Sequence, residues 1–407
     1  MDFDDTPREA AFRAAARTWL DAHAPAKGSP EDFSGGYLEG GTDAATHIAR
    51  AKAWQALLFD EGWAGITWPR AYGGRGEGAL ESSIWNAEMG RYGVTVGPFA
   101  VGIGMAGPTI LRHGTDAQKE RFLRPMLRGE EMWCQLFSEP EAGSDLASLR
   151  TRAVLDGDEW VVDGQKVWTS SADHADWGIL LARTDPDATK RKGITYFLVD
   201  MRTPGIEVRP LKQMTGSSHF SEVFLDGVRI PAANVLGEVH GGWAVTQTTL
   251  ANERGLIAGG NKSSDAVALC ALAGTLGRSA EPVLRQKLVD CWMRQRIQQY
   301  HGYRLQTALS QGRQPGPETS IMKLFMADYL KRLGDTALEL LGPDGMRAGE
   351  GPGNGDWQAR FLHAPAIGIA GGSNEVQRNI VGERVLGLPR EPQLDDVPFR
   401  DLLKARK

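Results

Sequence analysis

The hydrophobic period changes twice along this chain, and those two changes restrict the fold more than any single motif. Up to Arg128 apolar residues recur at helical spacing. Over Thr6–His23 they are Phe12, Ala16, Trp19 and Leu20, with Pro7 suited to a first turn. A Gly- and Ser-rich loop over Lys27–Gly41 follows, and Ala45–Glu61, Glu81–Tyr92, Gly102–His113 and Asp116–Arg128 each read as helix. The Trp and Met residues of this part read as core. Between Met132 and Val235 the runs EWVV, GILLAR, ITYFLVD and SEVFLDGVRI alternate or carry β-branched residues, the pattern of short strands. Asp156-Gly157, Asp163-Gly164 and Asp226-Gly227 are hairpin signals, and Lys190-Arg191-Lys192 reads as a solvated hairpin loop. Helical spacing returns over Trp243–Ala273, Pro282–Gln311, Pro317–Leu341 and Ser373–Val385, with Pro315 and Pro317 separating the second from the third. The class expected is α+β: an all-α domain over 1–130, a β domain over 131–240, a four-helix bundle over 241–390 and a tail over 391–407.

At 407 residues there is chain enough for two or three domains. The formal charge of −5 gives no electrostatic case for nucleic acid or an anionic membrane. Cys134, Cys270 and Cys291 lie far apart without metal-ligand spacing, which fits a reducing interior. The acidic, amphipathic N-terminus does not resemble a secretory signal, and no apolar run is long enough to span a bilayer. A cytoplasmic protein without a metal site is expected.

The chemistry-bearing stretch runs from Trp133 to Trp177. Its first half, WCQLFSEPEAGSDLASLR, holds Ser138, Gly143, Ser144 and Asp145 around Pro140, a backbone able to approach a ligand closely. Successive N–H groups and hydroxyls in such a loop receive phosphate or a polar ring edge. Its second half sets Trp168 beside Thr169, Ser170 and Ser171, a flat aromatic followed by short donors. The residues alone leave two readings open, ordinary turn and core, or a seat for a planar, phosphate-bearing cofactor.

FSEPEAGSD followed by DGQKVWTSSADHADW resembles the two flavin-binding signatures of the acyl-CoA dehydrogenase family. The resemblance continues from GWAGITWPRAYGG (Gly62–Gly74) to SNEVQRNIVGERVLGLPRE (Ser373–Glu391), nearly the whole chain. It implies a helical N-terminal domain, a β-barrel-like middle, a C-terminal four-helix bundle, and FAD between the last two. It also implies α,β-dehydrogenation of an acyl-CoA thioester, with electrons passing to an electron-transfer flavoprotein. A carboxylate removes the α-proton, hydride goes to the flavin, and donors stabilise the enolate-like oxygen. Leu136, Phe137 and Ser138 match the segment facing the flavin ring. Gly143 and Ser144 match the pyrophosphate loop, Ser144 also the thioester side. Trp168 matches the aromatic packed on the ring, Thr169 and Ser170 the donors beside it, and Ser373 and Glu375 the loop closing over the cofactor.

Two departures from the family pattern matter. In IAGGSNEVQR the usual base position holds Gly371, which leaves only its main-chain N–H for the thioester oxygen. Isovaleryl-type and long-chain members carry the base earlier, directly before an arginine. TTLANERGLIAGG places Glu253 there, followed by Arg254 on the substrate side. A surface Glu253 paired with Arg254 is the plain alternative, weakened because neighbours on a helix point about 100° apart. Secondly, AGTLGRSAEPVLRQ and ELLGPDGM lack the family's Arg–Phe-Gly pattern, put Glu339 in place of a glutamine, and interrupt a Gly-Gly with Pro343. Those residues reach a neighbour's flavin in homotetramers, so either a homo-oligomer or an α2β2 complex with a paralogous subunit is expected, as in actinobacterial steroid-degrading members. The alternatives are a nitroalkane oxidase-like or desulfinase-like flavoenzyme on the same scaffold, or a non-catalytic subunit.

Overall fold

The computed structural model describes residues 5–35, 44–259, 265–311, 313, 316, 319–347, 355–390 and 397–405, without the side chains of 254, 255, 257–259, 309, 310 and 403–405. The expected α, β, α order is what the chain adopts. Helices α1 (Pro7–His23), α2 (Ala44–Asp60), α3 (Ala79–Met89), α4 (Gly107–His113) and α5 (Asp116–Arg128) come first, a π-helical turn at Gly102–Ala106 leading into α4. Thr6 caps α1 by accepting from the Glu9 N–H, and Thr115 caps α5 in the same way from Gln118. Trp54 and Trp85 on helices and Trp63 and Trp68 in the loop between them are all buried, as the core reading of the tryptophans expects.

Seven strands follow: β1 (Trp133–Leu136), β2 (Arg152–Asp156), β3 (Glu159–Ser170), β4 (Trp177–Arg183), β5 (Ile194–Asp200), β6 (Ile206–Leu211) and β7 (Phe220–Pro231). They form one sheet in the order β1-β4-β2-β3-β7-β6, with β5 also paired to β4. Strand β4 is buried along its whole length because it has a core on each face. Ile179 and Leu181 pack with Trp133, Phe122 and the N-terminal helices, while Leu180 and Ala182 pack with Val162, Phe197 and Val223.

The three Asp-Gly signals have different outcomes. Asp156-Gly157 opens the β2–β3 hairpin, with Asp156 opposite Glu159. Asp163-Gly164 and Asp226-Gly227 make no hairpin. From Val162↔Val228 to Gly164↔Leu225, β7 uses one residue more than β3, so a bulge forms with Gly227 at φ +59°. Its N–H donates to the Asp163 carboxylate at 2.9 Å. The buried set of β7 accordingly changes phase, from Val223 and Leu225 to Val228 and Ile230. The basic run is also more than a solvated loop: Lys190 donates to Asp145 at 2.6 Å, and Arg191 lies 5.9 Å from the Trp243 ring centre.

Helices α6 (Gly242–Gly259), α7 (Asp265–Thr275), α8 (Pro282–Ser310), α9 (Thr319–Leu341), α10 (Asp356–Ile367), α11 (Asn374–Ile380) and α12 (Phe399–Ala405) complete the chain. Of the helix expected over Trp243–Ala273, the described parts on either side of 260–264 are helical, in α6 and α7, and residues 260–264 lie outside those described. Helix α10 is absent from the expected four. Its apolar spacing is short and Pro365 lies inside it, which hides the period. Contacts divide the chain into two compact units, Met1–Glu253 with Glu391–Lys407, and Arg254–Arg390.

Candidate active site

Within the first unit, the loop after β1 is held from beneath by a buried ion pair. Lys166 on β3 is fully buried and donates to Glu139 at 2.8 Å and to the Phe137 carbonyl at 3.1 Å. The Glu139 carboxylate also accepts from the N–H groups of Arg150 (2.6 Å) and Thr151 (2.9 Å). Burial pushes the Glu139 carboxyl up, but the Lys166 ammonium and these bonds outweigh it and hold it below the usual range. Arg183, buried beside them, donates to the carbonyls of Ala147 and Lys190 at 2.7 and 2.8 Å, and burial lowers its pKa to about 10. Asp145 is tied to Ser148 at 2.6 Å. Both ends of the loop are fixed, and Gly143 and Ser144 are left exposed at its tip. A Cβ at Gly143 would meet nothing within 4 Å. Glu141 pairs outward with Arg150.

Ser138 and Trp168 are brought together by a hydrogen bond from the Val167 N–H to the Ser138 carbonyl, 2.9 Å long. There the ladder shifts again: Lys166 faces Val223 but Thr169 faces Ser221, so β3 carries one extra residue. Trp168 is that residue. It sits at φ +61° and leaves its indole 59 % exposed, edge-on to Phe220. A left-handed conformation at a bulky residue costs roughly 1–3 kcal/mol and collects at ligand sites. Ser170 is half-buried beside it, whereas the Thr169 side chain points into the interior. Leu136 and Phe137 are also buried, in opposite cores, so their side chains present nothing to a ligand.

Helix α6 brings Glu253 to the same strand. The Gln135 side-chain N–H on β1 donates to Glu253 Oε2 at 3.4 Å, and Glu253 is partly buried rather than turned into bulk water. The helix is seated by hydroxyls: Thr249 shares hydrogen bonds of 3.0 Å with Thr109 and with Tyr196, and Thr248 one of 2.9 Å with His113 Nε2. Burial lowers the His113 pKa and raises that of Tyr196, so both stay neutral near neutral pH. The Arg254 side chain lies outside the described residues.

In the second unit, Gly371 and Gly372 both have left-handed φ, +63° and +87°. Gln377 turns back to donate to the Gly371 carbonyl at 3.0 Å, and Ser373 caps α11 by accepting from Val376 at 3.3 Å. Lys323, buried on α9, donates to Asn374 at 3.1 Å. Glu375 is exposed and pairs with Arg378 at 3.3 Å. A rigid turn with a bare glycine at its head is therefore in place.

An exposed flat indole, hydroxyls at Ser138 and Ser170, and an open glycine loop fit a planar cofactor with phosphates. Gln135, Glu139, Lys166 and Arg183 carry no signal of their own in the sequence. Nothing beside Glu139 or Lys166 names the other, 27 positions away, and Gln135 is 118 positions from Glu253.

Comparison with known proteins agrees with the fold. The N-terminal, middle and C-terminal domain models of the acyl-CoA dehydrogenases match residues 6–130, 134–228 and 240–386. Acyl-CoA dehydrogenase IpdE1 of Mycobacterium tuberculosis is 38% identical over 387 residues, covering 93% of this chain and 98% of that protein. Acyl-CoA dehydrogenase FadE34 of the same organism is 44% identical over 340 residues, 83% of this chain but only 46% of the longer relative. The chain thus spans about half of FadE34 and nearly all of IpdE1. The solved Tcur3481-Tcur3483 steroid ACAD superposes with a TM-score of 0.82 at 30% identity, covering 96% of this chain and 100% of that one. The ChsE4-ChsE5 complex from Mycobacterium tuberculosis gives 0.78 at 28%, again over 96% and 100%. The family models define the class, the FAD-dependent oxidoreductases. The chain belongs to the acyl-CoA dehydrogenase family.

Proposed function

We propose that this chain binds FAD and introduces an α,β double bond into a CoA thioester, with Glu253 as the base. The observation that carries the reading is the Glu253 carboxylate, seated against Gln135 one strand residue from the Leu136–Ser138 segment. Trp168 would offer its exposed face to the flavin ring, with Ser138 and Ser170 as donors at its edge. The Gly143-Ser144 loop would take the pyrophosphate, and Ser373 and Glu375 would border the cofactor. Leu136, Phe137 and Thr169 would contribute backbone and packing only. When bound, FAD supplies the hydride acceptor. Glu253 takes the α-proton, the Gly371 N–H receives the developing charge on the thioester oxygen, and Ser144 and Arg254 meet the substrate.

The proposed acyl group is bulky, a steroid side chain, supported by the likeness to a steroid acyl-CoA dehydrogenase. The electron acceptor proposed is an electron-transfer flavoprotein, and the compartment the cytoplasm. No described helix is long and apolar enough to cross a membrane. An oligomer fits the second unit: Val289, Met293, Ile297 and Tyr300 share one face of α8, and all are exposed. Glu339 is already paired with Lys287 there, which favours an α2β2 complex whose paralogous partner completes the flavin site.

Anaerobic bleaching of the flavin with short, branched, long and steroid CoA thioesters tests the reaction. Glu253→Gln is expected to retain FAD and lose bleaching by at least about a thousandfold, the scale of removing an essential group. Bleaching at the original rate would defeat the assignment. A full complement of FAD in the chain purified alone would defeat the shared site.

A further inference from the structure

We infer that Phe399, in the segment after Glu391, is a positioning residue for the cofactor loop: its ring presses on the buried Arg183 guanidinium, which holds the loop's Ala147 carbonyl. The inference rests on the Gly143-Ser144 loop being the seat of the FAD pyrophosphate. Phe399 is the one aromatic residue between Glu391 and Lys407, and it is buried. Its ring centre lies 3.8 Å from Arg183 Cζ, close enough for the negative face of the ring to attract the cation. The backbone brings the ring there. The Phe399 N–H donates to the Ala188 carbonyl at 3.0 Å, the Arg400 N–H donates to the Pro186 carbonyl at 3.1 Å, and Pro398 bridges to Thr189. The segment is thus laid along the connection between β4 and β5, directly beyond Arg183 at the end of β4.

The chemistry favours a ring at this position. Arg183 is 3 % exposed, so its cation has almost no water. Its two terminal nitrogens donate to the carbonyls of Lys190 and Ala147, but Nε makes no hydrogen bond among the described residues. A buried donor without an acceptor is costly, and the field of an aromatic face offsets part of that cost. An aliphatic side chain would fill much of the same space without the attraction. The guanidinium is thereby held between the ring and the two carbonyls, and Ala147 lies three residues from Ser144. Arg400 also pairs with Asp187 at 2.7 Å, but both side chains are more than half exposed and solvent screens the pair. The ring, not that pair, joins the segment to the loop.

Hydrogen exchange on the FAD-free protein, read in peptides covering 141–149 and, as a control, helix α2, tests the coupling without the cofactor. Phe399→Leu should speed exchange in 141–149 by about tenfold, the scale of a lost desolvated cation–π contact, and leave α2 unchanged. Arg183→Met should loosen the same peptides, and adding Phe399→Leu to it should change them by less than about twofold, because the two residues act through one contact. FAD affinity, by fluorescence titration, should fall about tenfold in Phe399→Leu. The rate of flavin bleaching at saturating FAD should stay as in wild type, since Phe399 positions the loop and does not touch the reacting atoms. Unchanged exchange in 141–149, or a rise matched in α2, overturns the coupling. Looser exchange with unchanged FAD affinity overturns the role in cofactor binding. If wild type binds no FAD, the flavin seat itself fails, and the exchange comparison still decides whether Phe399 holds the loop.

Discussion

Lys166 and Trp168 stand two residues apart on one strand and are treated in opposite ways. Lys166, a charged residue, is sealed beneath the sheet with its carboxylate and a carbonyl as partners. Trp168, one of the most apolar residues available, is pushed out at a bulge in a conformation side chains avoid. Neither placement follows hydrophobic preference. The first stabilises the loop that would cradle phosphate, because removing either charge would strand the other without water. Among the described residues, the second has an edge contact with Phe220 and no other ring contact to repay its backbone strain. Strain of that kind is what the proposed seat for the flavin ring would put to use.

The contrast breaks first at the buried pair, where the effect should be largest. Lys166→Met leaves the Glu139 carboxylate buried and unpaired, and should destabilise the protein by about 3–5 kcal/mol in urea unfolding. The double change Lys166→Met with Glu139→Leu should recover part of that loss, since no charge is then stranded. If the single change costs under about 1 kcal/mol, the pair is no clamp. Acidity probes the same point. Glu139 has a folded pKa below its ordinary 4.5, so its contribution is complete above that value and is lost as pH falls through the folded pKa. Wild type should therefore lose stability between neutral and acidic pH more steeply than the double variant.

At Trp168 the sign should reverse. Trp168→Gly removes the strained side chain from a position where glycine is at ease, so the FAD-free protein should unfold no earlier, and later by up to about 1 kcal/mol. FAD affinity, read by fluorescence titration, should nonetheless fall about tenfold with the loss of aromatic stacking. Lower stability with unchanged FAD affinity would make Trp168 a packing residue and remove the contrast.

How far the residues announce this arrangement follows from the distance over which each signal acts. The α, β, α order is legible because apolar period is local, and GILLA is a continuous apolar run because β4 is covered on both faces. Asp-Gly is legible only as a place where φ turns positive. Whether that becomes a hairpin, as at Gly157, or a bulge, as at Gly227, depends on the partner strand's register. Trp168 is visible as an aromatic before short donors, but its extrusion depends on Ser221 and Val223, over fifty positions later. Lys166 and Glu139 are single polar residues until the fold joins them. Glu253 stands out only through its match to a family position, and nothing near it in the chain points to its bond with Gln135. Helix α10 was hidden by its own proline.

The smallest effect expected falls on the outer side of the same loop. Lys190 pairs with Asp145, but that carboxylate is 44 % exposed, so solvent screens most of the attraction. Lys190→Ala should cost less than about 1 kcal/mol in unfolding, and the cost should shrink further in high salt. Its influence on FAD should also be slight, because Glu139, Lys166 and Arg183 hold both ends of the loop from the interior. If instead Lys190→Ala weakened FAD binding as strongly as Trp168→Gly, the loop would be set from its outer edge. The buried pair would then be a consequence of the site's geometry rather than its cause.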